Sequence, residues 1–130
     1  MPVARITSRP TRRPATDRPA SVVARLAVTG ASGFIGRAIT TALIDAGHSV
    51  TALVRRPEAA GEVRALGAAP ILGGLDQPER LAALCARATA VIHVAGATRG
   101  IDYADFERVN VVGSAAVFAA AERAGLPVLA

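Results

Sequence analysis

The segment Thr29-Gly30-Ala31-Ser32-Gly33-Phe34-Ile35-Gly36 spaces three glycines three residues apart, between a short apolar run and a helical pattern. Each glycine meets a need of an anion site. Gly30 permits a tight turn out of a strand. Gly33 removes a side chain where backbone must approach a phosphate, and Gly36 lets a helix pack closely on the sheet. Ser32, Phe34 and Ile35 complete the loop. The following helix would offer unpaired N–H groups and the positive end of its dipole to a pyrophosphate. The context that separates such a loop from an ordinary glycine-rich turn is present. A buried strand precedes it, an amphipathic helix follows it, and a second strand ends about 18 residues beyond Gly36. The expected ligand is a dinucleotide.

The end of that second strand bears on which dinucleotide. An acidic residue there normally bonds the adenosine ribose hydroxyls and selects NAD. Here Val54 stands in that place, followed by Arg55 and Arg56. No carboxylate repels a 2′-phosphate, and two guanidiniums are at hand to bind one bidentately. NADP(H) is therefore favoured over NAD(H). Other reactive groups are sparse. The single cysteine, Cys85, has no internal disulfide partner and suits a reducing cytoplasm. His48 and His93 stand apart from any Cys or His at metal-ligand spacing, so no metal site is expected. His93 reads as a hydrogen-bonded core residue inside a strand. The chain holds one tyrosine, Tyr103, and no lysine.

The elements that position the loop follow from apolar periodicity. Val22–Thr29, Ser49–Val54, Pro70–Leu72 and Thr89–Ala95 read as strands, and Leu126–Ala130 starts a fifth. Helices are expected over Phe34–Ala46, Pro57–Leu66, Glu79–Arg87 and Asp105–Ala124, with Gly47, Gly67 and Gly125 closing three of them. Strand and helix alternate throughout, which requires crossover connections and a parallel sheet covered on both faces. The fold class is α/β: a Rossmann-type doubly wound parallel sheet, truncated after about five strands.

Residues 1–21 are polar, basic and punctuated by Pro2, Pro10, Pro14 and Pro19, and read as a disordered leader before a dinucleotide-binding unit over 22–130. The formal charge of +5 belongs to the first 25 residues, which hold six Arg and one Asp, while the remainder holds nine Arg and nine acids. Scattered Arg without aromatics is weak support for nucleic-acid binding, so no specific nucleic-acid partner is expected. No apolar run approaches the ~18–20 residues of a membrane span, and no secretory signal is present.

The spacing in TGASGFIG resembles the extended and atypical short-chain dehydrogenases/reductases, the NAD-dependent epimerase/dehydratase family among them. Val50–Arg56 (VTALVRR), Gly73–Leu81 (GGLDQPERL), Ala90–Ala97 (AVIHVAGA) and Asp105–Gly113 (DFERVNVVG) resemble further family segments in order and spacing. The resemblance implies that Leu75 touches the adenine ring and that Ala95, Gly96 and Ala97 pass close to a cofactor ribose. It also implies a structural role for Asn110. It places an Asp where Gly74 stands, so adenine affinity departs from the family pattern, with Asp76 nearby. The family's chemistry uses a Tyr-x-x-x-Lys pair and an upstream Ser or Thr. Tyr103 is followed four residues later by Glu107, and no lysine exists, so no catalytic residue is assigned. Tyr103 reads as a surface or lid residue. The chain reads as the cofactor-binding front of a longer reductase or epimerase, whose small-molecule substrate is set elsewhere; a stand-alone binding module with a sensing or structural role is the alternative. Self-association through an uncovered sheet edge is expected.

Overall fold

The computed structural model describes residues 23–95 and 102–130. The expected leader, Gly96 and Ala97 lie outside the described residues. The order is β1 (Arg25–Thr29), α1 (Phe34–Asp45), β2 (Ser49–Val54), α2 (Pro57–Leu66), β3 (Ala69–Leu72), α3 (Pro78–Cys85), β4 (Ala90–His93), α4 (Tyr103–Glu107), a π-helical stretch (Arg108–Val112), α5 (Gly113–Ala124) and β5 (Val128–Leu129). The five strands form one sheet in the order β3-β2-β1-β4-β5, and every pairing is parallel.

Successive side chains of a strand point to opposite faces, and both faces are filled. Leu26 and Val28 of β1 join Val50, Ala52 and Val54 of β2 beneath Ala59, Ala60 and Val63 of α2. On the other face Ala27, Leu53 and Val91 meet Leu81, Leu84 and Cys85 of α3, together with Val117, Ala120 and Ala121 of α5. Strand succession runs outward from β1 through β2 to β3, then restarts at β4 on the opposite side of β1. The reversal falls between β1 and β4, which is where a sheet of this kind opens a crevice at its carboxyl ends.

Helix α1 stops where predicted, within a residue. Gly47, at φ +93°, donates its N–H to Ile44 O at 2.9 Å, and His48 N–H reaches Leu43 O at 3.1 Å. This is the paired closure that left-handed residues give helix ends. The last long helix departs from the uniform helix expected over Asp105–Ala124. It begins at Tyr103 and passes through the π stretch, where Gly113 N–H bonds Arg108 O five residues back. An inserted residue of this kind leaves the apolar spacing on either side intact, so periodicity does not reveal it.

Thr40, in the middle of α1, is fully buried and its Oγ1 has no partner among the described residues. Thr40→Val keeps the branched shape and removes a hydroxyl whose desolvation is uncompensated. The expected result is a gain of about 1 kcal/mol, read as a higher urea midpoint with an unchanged m-value.

Candidate functional site

Thr29 ends β1 and the chain turns at Gly30, whose φ is +77°. A Cβ there would lie 2.5 Å from the Ala95 backbone nitrogen and 2.8 Å from the Val94 carbonyl carbon, so the turn rests directly on the end of β4. Gly33 N–H donates to Gly30 O at 3.1 Å, and Arg37 N–H donates to Gly33 O at 2.8 Å. A Cβ on Gly36 would fall 1.7 Å from Gly30 O and 2.9 Å from Ala31 Cα. Gly36 therefore packs α1 against the turn itself, not against the sheet as the sequence suggested.

Gly33 is different. Its φ of −75° and ψ of 173° suit any residue, and a Cβ would meet nothing nearer than Gly30 O at 3.4 Å. The fold does not demand glycine here, and Gly33 lines the cleft. Helix α1 starts beside it without a side-chain cap and without an acidic residue in its first turn. Its first N–H groups are thus unclaimed by side chains, at the positive end of the helix dipole. Phe34 is 94% exposed and Ile35 is also exposed, both at the mouth of the cleft.

The cleft holds about 580 Å³, a size typical of ligand sites. The loop glycines, Ser32, Phe34 and Ile35 form one wall, Val54 and Arg55 a second, and Gly73 to Asp76 a third, with Val94 and Ala95 at its floor. Arg108, Val112 and Gly113 close the far side. The architecture is that of a dinucleotide fold, and the NAD dependent epimerase/dehydratase family model matches residues 26–130.

The chain belongs to the NAD-dependent epimerase/dehydratase family.

Members of this family bind NAD(P). A ketoreductase of Stigmatella aurantiaca, named for 4-hydroxy-2-methyl-3-oxo-4-farnesyl-3,4-dihydroquinoline-1-oxide, is 48% identical over 102 residues, covering 77% of this chain and 30% of the relative. Ceramide reductase of Caulobacter vibrioides is 38% identical over 100 residues, covering 77% and 32%. The Bordetella bronchiseptica enzyme WbmG, solved with NAD, superimposes with a TM-score of 0.69 at 27% identity, covering 83% of this chain and 36% of WbmG. The chain thus spans about a third of the length of these family members.

Against the family pattern, the structure gathers Gly30, Ser32, Gly33, Phe34, Ile35, Gly36, Arg55, Leu75 and Ala95 around one cleft. Arg56 is not among the lining residues. It is the extended residue before α2 and is exposed, because neighbours on an extended backbone face opposite ways. Of the expected pair, Arg55 alone lines the cleft. Gly74 N–H donates to Gln77 Oε1 at 2.8 Å, and a Cβ on Gly74 would lie 2.5 Å from Asp76 Oδ1. The Asp76 carboxylate occupies the room that a family-type side chain at 74 would need. Leu75 packs onto Gly113, where a Cβ would come within 2.8 Å of Leu75 Cδ1. Arg108, Val112 and Gly113 escaped sequence reasoning. The available signal was Gly113, a residue disfavoured inside a helix unless something must come close.

His93 is buried behind the floor. Its Nδ1 lies 2.6 Å from Thr29 Oγ1, its Nε2 lies 2.8 Å from Ser114 Oγ, and Phe118 meets the ring edge-on at 5.9 Å. Burial pushes its pKa below the usual imidazole value, so the ring is neutral at physiological pH. Burial likewise pushes the Cys85 thiol up, which keeps it protonated and poorly nucleophilic. Tyr103 is exposed at the start of α4, and Asn110 is half-buried in the π stretch; neither lines the cleft. Among the described residues no three His, Cys, Asp or Glu gather as a metal site, and no helix is long and apolar enough to cross a membrane.

Proposed function

We propose that this chain holds NADP(H) across the β1–β4 reversal and forms the cofactor-binding part of a carbonyl reductase. The observation that carries the reading is Gly33, a glycine the fold does not require, beside an uncapped helix N-terminus at the mouth of the cleft. In this reading the first-turn N–H groups of α1 take the pyrophosphate. Arg55 takes the 2′-phosphate. Leu75 and Asp76 meet the adenine, and Ala95 borders the distal ribose. The names of the reductases among the relatives favour reduction over epimerisation. Bound NADPH supplies hydride for a carbonyl carbon. The carbonyl oxygen then needs a proton, and these 130 residues contain no lysine to complete the family's Tyr-x-x-x-Lys pair. The proton donor and the substrate pocket are accordingly assigned to residues outside this chain, in a reducing, cytoplasmic setting that suits its single buried thiol.

Cofactor choice rests on Arg55. A charge-assisted hydrogen bond contributes ~1.5–3 kcal/mol, which is roughly 10- to 150-fold in affinity. Arg55→Ala is expected to weaken NADPH by that factor and NADH by less than about threefold, measured by calorimetric titration. Equal losses for both cofactors would remove the case for NADP(H).

A further inference from the structure

Behind the cleft, buried polar side chains link two strands to α5. Thr29 and His93 are register partners on adjacent parallel strands, so both side chains leave the same face of the sheet. Thr29 is 1% exposed and His93 is 7% exposed. Ala95 N–H reaches Thr29 Oγ1 at 3.3 Å, Thr29 Oγ1 lies 2.6 Å from His93 Nδ1, and His93 Nε2 lies 2.8 Å from Ser114 Oγ. The protons can be placed. Thr29 already accepts from Ala95, and a buried hydroxyl proton needs an acceptor. His93 Nδ1 supplies it as a bare nitrogen. Nε2 then carries the ring proton and donates to Ser114.

We propose that His93 is a positioning residue for the cofactor cleft: through Thr29, its neutral ring fixes the Ala95 amide, the wall against which Gly30 turns. This rests on the dinucleotide reading of the cleft. The coupling is short, because a Cβ on Gly30 would lie only 2.5 Å from the same Ala95 nitrogen. Protonating the ring sets Nδ1–H against the Thr29 hydroxyl. Oγ1 would then face two donors while its own buried proton lost its acceptor. The hydroxyl must turn, which releases Ala95. The groups bonded to or stacked on the ring, Thr29, Ser114 and Phe118, do not titrate near neutrality. Among the described residues, the charged groups of the flanking elements are exposed. Arg25 is exposed at the opposite end of β1, Glu122 and Arg123 are exposed beyond Phe118 on α5, and Arg108 lines the cleft.

The test is a pH profile of NADH affinity for the full chain and for His93→Gln, with folding followed by circular dichroism in the same samples. NADH is used because a 2′-phosphate itself titrates near pH 6. Because burial holds the imidazole pKa below its usual value, the parent is expected to keep its affinity down to about pH 6.5 and to lose it below that, by roughly threefold at about pH 5.5. His93→Gln offers an acceptor and a donor without a titration, so its affinity is expected to stay level across that range. Parallel profiles for the two proteins would overturn the proposal. A folded parent that binds neither NADH nor NADPH would instead overturn the dinucleotide reading itself. Nitrogen NMR of the parent's imidazole gives an independent check should the variant not fold. Nδ1 is expected bare and Nε2 protonated at about pH 7.5, and the reverse tautomer would overturn the proposal.

Discussion

Gly36→Ala is expected to lower the melting temperature by about 12 °C or more, the largest stability loss of any single methyl added in this loop. The cause is steric and local. The new Cβ would lie 1.7 Å from Gly30 O and 2.6 Å from Gly30 C, both backbone atoms of a turn that is itself fixed against Ala95. No side-chain rotation relieves this. Either α1 slides along the sheet, stripping contacts from the cluster that includes Leu43 and Ile44, or the turn opens. Overpacking with backbone displacement costs about 3 kcal/mol, a large share of the ~5–15 kcal/mol by which a domain is stable. A thermal melt followed by circular dichroism reads the effect. A variant melting within about 3 °C of the parent would show that the loop is looser than its packing implies.

Gly33→Val should do the opposite: leave the fold standing and abolish cofactor binding. Its backbone is extended, which a β-branched residue adopts readily, and its Cβ meets Gly30 O at an ordinary 3.4 Å. The folding cost is that of a poorer helix cap, about 1 kcal/mol. The branched side chain, however, projects where the pyrophosphate must approach the first N–H groups of α1. A loss of at least ~100-fold in NADPH affinity, about 2.7 kcal/mol, is expected by calorimetry on protein shown to be folded. Retained affinity would mean that the cofactor lies elsewhere, and the assignment of the cleft would fall with it. Taken together the two glycines separate folding from binding within four residues.

Most of the fold was legible because its signals are local and repeated. The apolar runs at Ser49–Val54 and the glycine after each long helix placed β2, α1 and α2 to within a residue. The π stretch was not, since Val109, Gly113 and Val117 keep a helical spacing through it. The near wall of the cleft was legible in TGASGFIG because a strand, a turn and a helix start are contiguous in the chain. The far wall was not. Arg108, Val112 and Gly113 reach the cleft only through the crossover that lays the last helix over β4, and which of their sides looks inward depends on that unseen π turn. Arg55 and Arg56 look equivalent in a string of letters, and the pleat of the strand end separates them. His93 stood alone in the sequence for the same reason. Its partners, Thr29 and Ser114, are 64 and 21 residues away.

Among the described residues six glycines line the cleft: Gly30, Gly33, Gly36, Gly73, Gly74 and Gly113. A surface made of omitted side chains can drift in only one direction, because every substitution at these positions adds atoms and none removes them. The mould can be filled but not enlarged. Adjustment of affinity or of cofactor choice therefore falls to the few positions around it that already carry a side chain, with Arg55, Leu75, Asp76 and Arg108 foremost. A lineage that altered its cofactor would be expected to record the change there while its glycines stood still.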